Sequence, residues 1–209
     1  MLEGANMKER CPWPGNDPLY IAYHDNEWGV PEYDSKMLWE KLTLEGFQAG
    51  LSWITILRKR EAFRTAFDNF QPEIIANYND KKINSLVKNK EIVRHRGKIE
   101  ATINNAKIYL DLEKRKGFNN FLWEYTQFKP LQTNKVNQSD VQTQSPLSQK
   151  ISKDLKKLGY RYCGPTIIYA FIEAVGIINN HFTSCHRHTE VQDKQSYNQS
   201  GTRSRPIIS

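Results

Sequence analysis

"LKKLGYRYCGPTIIYAFIEAVG", Leu155 to Gly176, decides the fold class. Apolar residues at Leu147, Ile151, Leu155 and Leu158 keep helical spacing up to Gly159. The pattern restarts after Gly164, with Pro165 placed where a first helical turn accepts proline. Two helices joined by a short loop with glycines at its corners form a hairpin. Such a turn exposes backbone N–H groups, and with the positive end of the second helix these can hold a phosphate. Gly159, Gly164 and Thr166 are the candidate residues for that contact. An ordinary helical hairpin with a glycine cap fits the same letters.

Outward from the hairpin, helix signals dominate and clean strand alternation is absent. Asp34 is placed to cap a helix running towards Ala49, and Ser52 to cap one through Phe67. Pro72 opens a short helix, Asp80 precedes another, and Lys98 to Leu112 carries Ile99, Ile103, Ala106 and Leu110 at helical spacing. Leu131 to Ser148 is polar and reads as a long surface connection. The chain is expected to be all-α. Residues 1–6 and 189–209 read as disordered tails.

The chain has 209 residues, enough for one compact core, and no apolar run approaches the roughly 20 residues that cross a bilayer. Met1 to Arg10 lack the apolar centre of a signal peptide. Three cysteines, Cys11, Cys163 and Cys185, argue against a disulfide framework and for a reducing, cytoplasmic setting. The expected state is a monomer with no membrane association. A net charge of +7 suits a polyanionic partner, as do "RKR" (Arg58 to Arg60) and "RHRGK" (Arg94 to Lys98). Either cluster fits a solvated helix face equally well. His95 is expected to face phosphate or solvent.

Near the start lies "YHDNEWG", Tyr23 to Gly29, and near the far end "HFTSCHRH", His181 to His188. Cys11 with His24, and His181 with Cys185, make two pairs. On a helix, four-residue spacing puts His181 and Cys185 on one face. Together the pairs form a Cys2His2 set, the closed ligand set of structural zinc. His186 and His188 are rival ligands, and spacing alone leaves open that the cysteines are small buried hydrophobes. Cys163 has no such company. The N-terminal half is loaded with aromatics, Trp13, Tyr20, Tyr23, Trp28 and Trp53, and one carboxylate, Glu45, lies in the apolar block "LTLEGFQAGLSW". Stacking rings with a hydrogen-bonding carboxylate suit a flipped-out base, although most tryptophans are simply core.

The segments "RCPW", "DPLYIAYHDNEWGVP", "LEGFQAGLSWITILRKRE", "IVRHRGKI" and "GYRYCGPTIIYAFIEAVG" resemble, in order from about Met7 to Cys185, the 3-methyladenine DNA glycosylase I family of the bacterial Tag type. The resemblance implies an all-α helix-hairpin-helix DNA glycosylase, with one domain over residues 7–188 made of two helical lobes. It implies one structural Zn2+ on Cys11, His24, His181 and Cys185. It implies Glu45 as the catalytic and base-recognising carboxylate, with Tyr23 touching the base and Trp53 stacking on it. Tyr20 and Trp28 fall in the same pocket-lining blocks. Gly50 and Leu51 match the tip that enters the duplex. Many relatives in the wider superfamily carry a catalytic aspartate beyond the hairpin. The Tag type lacks it, and here the region reads "GIINNH", with Asn179 and Asn180.

The implied partner is alkylated double-stranded DNA, and the implied product is free 3-methyladenine. N3-methylation weakens the glycosidic bond, so extrusion and recognition matter more than acid–base power. No lysine stands in the matched pocket blocks as a Schiff-base nucleophile, which implies release of the base without strand cleavage. A non-catalytic zinc-containing DNA-binding protein is the rival reading, but it has no use for Glu45 among stacking rings. A catalytic zinc hydrolase would need an open metal position.

Overall fold

The computed structural model describes residues 8–192. The expected tails at residues 1–6 and beyond 192 lie outside that range. Among the described residues, nine helices precede a last helical stretch at 186–192: α1 (Pro18–Asn26), α2 (Ser35–Gln48), α3 (Trp53–Ala66), α4 (Pro72–Ile75), α5 (Asp80–Lys88), α6 (Arg96–Arg115), α7 (Phe118–Trp123), α8 (Pro146–Lys157) and α9 (Pro165–Ala174). Short 3₁₀ turns link some of them. The expected surface connection carries a two-residue strand, β1 (Leu131–Gln132), which pairs in parallel with β2 (Ile178–Asn179). Residues 186–192 are helical and Val191 is buried, so ordered chain runs four residues past the expected boundary at 188.

The central element is α2. Every residue from Leu38 to Phe47 is buried except Lys41, so the helix is enclosed on nearly all sides. It packs against α3, α6, α7 and α9. Its Phe47 meets Phe63 ring to ring, Phe63, Phe67 and Phe70 stack in turn, and Trp39 donates to Phe70 O at 3.0 Å. A helix buried this deeply has its last carbonyls and the carboxylates of Glu40 and Glu45 inside the protein. Each of those groups then needs a partner or a purpose.

The caps correct several expectations. Asp34 caps α2 by accepting from Met37 N at 2.8 Å, as its spacing suggests. Ser52 holds the position before α3 but bonds Thr55 Oγ1 at 2.8 Å instead of the backbone. Asn79 caps α5, because Asp80 is already the first helical residue. His95 caps α6, its Nδ1 accepting from Lys98 N at 3.2 Å. It therefore has a structural task in addition to its exposure.

Two glycines close the chain on itself. Gly176, after α9, has φ +69°, and a Cβ there would lie 2.5 Å from Pro31 N and Val30 C. Gly29, with φ +77°, would put a Cβ 2.9 Å from His181 Nε2. Only glycine allows the backbone after α1 to lie against the backbone after α9. Gly176→Ala is expected to destabilise the protein by more than about 2 kcal/mol. Left-handed strain alone costs about 1–3 kcal/mol for such a residue, and the overlap with Pro31 adds to it. A urea titration checks this: an unchanged midpoint would mean that the two segments separate at little cost.

Candidate base pocket and metal centre

The close approach at Gly29 and Gly176 brings the segment of Cys11 and His24 beside that of His181 and Cys185. Cys11, His24, His181 and Cys185 are all buried, and their ligand atoms lie within 4.8 Å of one another. Cys11 Sγ is 3.5 Å from His181 Nδ1. Cys185 Sγ is 3.5 Å from His24 Nε2 and 3.6 Å from His181 Nδ1. A tetrahedral ion with Zn–S near 2.3 Å and Zn–N near 2.05 Å requires sulfur–nitrogen edges of about 3.5 Å. The residues present fit that requirement.

Their supports fit as well. His24 Nδ1 lies 2.8 Å from Asp25 Oδ1, which leaves Nε2 facing the cluster. Arg10 grips Asp25 with two nitrogens at 2.8–2.9 Å. Burial alone would raise the Asp25 pKa, but Arg10 and then His24 overcome it and hold it down at about 2. His181 Nε2 faces Trp28 O at 3.2 Å, which leaves Nδ1 for the cluster. Such outer partners fix the tautomer of a metal-binding histidine. Phe182 N donates to Cys11 Sγ at 3.4 Å, and a hydrogen bond with Cys11 holds the Cys185 thiol well below its ordinary range.

Two details differ from the spacing argument. His181 and Cys185 do not share a helix face. They sit in the turn that precedes the helical residues 186–192. His186 and His188 stand outside the cluster: His186 Nδ1 bonds Glu9 O at 2.9 Å and His188 Nε2 bonds Thr133 O at 3.0 Å.

The rings of Trp13 and Trp28 form the wall between this cluster and a cavity. Trp13 lies 5.3 Å from the His24 ring and Trp28 lies 4.5 Å from the His181 ring. On their other side is a cavity of about 170 Å³, which Tyr20, Tyr23, Glu45, Gln48 and Trp53 also line, with Ala170 and Glu173 from α9. Tyr20 and Tyr23 are three apart on α1 and so share a face. Tyr23 and His24 are neighbours in sequence that serve the two different sites. The Tyr23 and Trp53 rings are 5.5 Å apart and tilted by 43°.

Glu45 is 3% exposed, and its Oε2 has no hydrogen-bond partner; neither has Trp53 Nε1. Burial, and then the nearby Glu173, push the Glu45 carboxyl up to about 8. Glu173 is itself pushed up to about 6 by burial, against the pull of Lys135 at 3.6 Å and a hydrogen bond from Asn180. The site thus offers an unfilled acceptor and an unfilled donor inside an aromatic shell. A bound group that brings positive charge and its own hydrogen-bonding edge would satisfy both. Sequence reasoning missed Gln48, Glu173 and Lys135. Glu173 carried the same signal as Glu45, a lone carboxylate in the apolar run "YAFIEAVG".

Gly50 and Leu51 lie between Gln48 and Trp53, hence at the rim of this cavity. Gly50 has φ +83° with open space around it, and Leu51 is 44% exposed. The hairpin between α8 and α9 exposes Gly159 and Thr166, with Gly164 half-buried. The basic clusters are largely occupied elsewhere. Arg58 pairs with Asp17 and Arg60 with Glu27, while Lys59 bonds the carbonyls of Lys90 and Glu91. Cys163 is buried, its Sγ 3.4 Å from Tyr160 O.

Residues 13–188 match the model of the methyladenine glycosylase family. The chain is 48% identical over 178 residues to DNA-3-methyladenine glycosylase 1 of Escherichia coli K12, an alignment covering 85% of this chain and 95% of that protein. A crystal structure of a 3-methyladenine DNA glycosylase I superposes with a TM-score of 0.84 at 46% identity, covering 86% of this chain and all of the other. A variant of such an enzyme, solved in complex with 3-methyladenine, superposes at 0.83 with 40% identity, covering 86% of this chain and 97% of its own. Sequence, architecture and the ring-lined cavity agree, and the chain belongs to the methyladenine glycosylase family.

Proposed function

We propose that this chain removes N3-methyladenine from alkylated double-stranded DNA by hydrolysing its N-glycosidic bond, leaving an abasic site and an uncut strand. The observation that carries the reading is Glu45, buried with an unpaired oxygen in an aromatic cavity that Trp53, its Nε1 also unpaired, lines as well. An empty pocket of this kind is costly unless a ligand completes it. An extruded base supplies the missing partners and a face for the rings to stack on.

N3-methylated adenine in DNA is cationic. Its charge offsets the penalty that keeps a proton on Glu45, so the carboxyl ionises as the base enters. The ionised Glu45 then accepts from the base edge and favours positive charge at the sugar as the C1′–N bond breaks. The bonding electrons leave with the base, which departs neutral. Water captures the sugar carbon and loses its proton to solvent. Tyr20, Tyr23 and Trp28 complete the walls.

At the rim, Leu51 fills the stack that the base vacates, with Gly50 permitting the sharp turn. The hairpin residues Gly159, Gly164 and Thr166 meet the DNA backbone, in the manner of a helix-hairpin-helix element. One Zn2+ on Cys11, His24, His181 and Cys185 has a structural role, because four protein ligands leave no position for water. The protein acts as a monomer in the cytoplasm.

Incubation with methylated duplex DNA tests the reading. Chromatography of the released bases is expected to show 3-methyladenine, and the DNA strand is expected to break only after later alkali treatment. Release of no base, or cleavage of the strand by the protein itself, would overturn it.

A further inference from the structure

We propose that Lys98 is a positioning residue that holds the Gly50–Leu51 tip at a fixed distance from the α8–α9 hairpin, with α6 as the spacer. This inference rests on the reading of that tip as the element that enters the duplex.

Lys98 lies in the first turn of α6, is 7% exposed, and has no carboxylate as its partner. Its ammonium donates instead to Phe47 O at 2.8 Å and Ala49 O at 2.6 Å. Those are carbonyls at the C-terminal end of α2, which a helix leaves without intrahelical partners and where its dipole favours a cation. Helix ends on a protein surface are normally finished by water or by a residue of the same helix. Here the closing group comes from another helix, about fifty residues along the chain, and it is buried, which lowers the Lys98 pKa. That burial is costly. What it secures is the direction in which the chain leaves α2, and the two residues that leave are Gly50 and Leu51. Leu51 N closes the turn on Gln48 O at 2.6 Å.

The same face of α6 holds the hairpin. Asn105, seven residues and two turns after Lys98, exchanges a pair of hydrogen bonds with the Arg161 backbone, each of 2.9 Å. Asn104 donates to Gly159 O at 2.9 Å. Between the two attachments, the Tyr162 ring stands 5.9 Å from the Lys98 ammonium. The tip and the hairpin are therefore anchored to one rigid helix, roughly 10 Å apart along its axis. A protein that must put one element into a base stack while another holds phosphates needs that separation to be constant.

The experiment is a double-mutant cycle of Lys98→Met and Leu51→Ala. It is read by single-turnover release of 3-methyladenine from duplex DNA and by calorimetric binding of the free base. Leu51→Ala and Lys98→Met are each expected to slow duplex release about tenfold while changing free-base affinity less than twofold. The double variant is expected to be no more than about threefold slower than either single one, because both changes remove the same wedge. A hundredfold loss in the double variant would show independent roles and overturn the proposal. So would a parallel loss of free-base affinity in Lys98→Met, which would make the lysine a support of the pocket or of the fold. If Leu51→Ala slows release and Lys98→Met does not, the positioning role falls while the tip reading stands. If Leu51→Ala leaves release unchanged, the tip reading falls and takes this inference with it. Should Lys98→Met melt below the assay temperature, Lys98→Gln replaces it in the same cycle, with the same outcomes deciding.

Discussion

Glu45→Gln is expected to slow release of 3-methyladenine at least about tenfold and to remove the rise in rate that Glu45 gives towards about pH 8. Glutamine keeps the shape of the side chain. It exchanges an acceptor oxygen for a donor and deletes the charge that a cationic base calls for. A buried polar group facing the wrong partner costs roughly 1–3 kcal/mol, and tenfold corresponds to about 1.4 kcal/mol. In the wild type, burial and Glu173 hold the Glu45 carboxyl near 8 before the base enters, so occupation by a cation must expel a proton. Release should therefore become faster as pH rises towards about 8 and then level off.

Stability runs the opposite way. The folded pKa lies above the ordinary carboxyl value, so between about 4.5 and 8 the folded state holds a proton that the unfolded state has lost. The contribution of Glu45 to wild-type stability is then largest at the acid end of that window and falls as pH rises through it. Glu45→Gln has nothing to titrate, so its melting temperature should exceed that of the wild type near pH 8. A variant slower in release yet more stable would be the mark of an acid buried for function. Wild-type rates, with an unchanged pH profile, would end the assignment of Glu45.

The second large effect concerns the metal. Protein purified under reducing, chelator-free conditions is expected to contain one zinc per chain by emission spectrometry. Cys11→Ser is expected to lower both zinc content and melting temperature. Structural zinc sites in small peptides are worth about 10–16 kcal/mol. Losing even about 3 kcal/mol of that should lower the melting temperature of a domain this size by about 6–12 °C. Asp25→Ala leaves all four ligands but removes the carboxylate behind His24, and it should weaken zinc about 10–100-fold. Zinc-free wild type that melts together with Cys11→Ser would show that the cluster is only a buried polar knot.

The hairpin, the central helix and all four cluster residues were legible in the sequence, because each leaves a local mark: glycine at a corner, a proline at a first turn, or cysteine and histidine in short company. Position in space was less legible. His186 and His188 stand as close to Cys185 in the chain as any ligand does, and only the fold shows them turned towards Glu9 O and Thr133 O. The basic runs invited a reading as a polyanion contact. Yet Arg58, Lys59 and Arg60 are tied to Asp17, Glu27 and two carbonyls that come from distant parts of the chain. Lys98 was hidden for the same reason. Its letters belong to a charged cluster, and its partners, Phe47 O and Ala49 O, are backbone atoms that no side-chain pattern advertises.

The order in which the cluster residues are synthesised has its own consequence. Cys11 precedes His181 by 170 residues. A ribosome adding about 5–20 residues per second would leave Cys11 and His24 waiting roughly 10–30 s for the second half of the cluster. In that interval the nascent chain presents one thiol and one imidazole, too few to enclose an ion. The wall made by Trp13 and Trp28 has nothing behind it, and Tyr23 is not yet fixed. Maturation of the pocket is therefore expected to be a late event, timed by the arrival of the turn that carries His181 and Cys185. A message cut short before Cys185 would yield a chain that keeps Glu45 and Trp53 but lacks the closure that holds them opposite Tyr23.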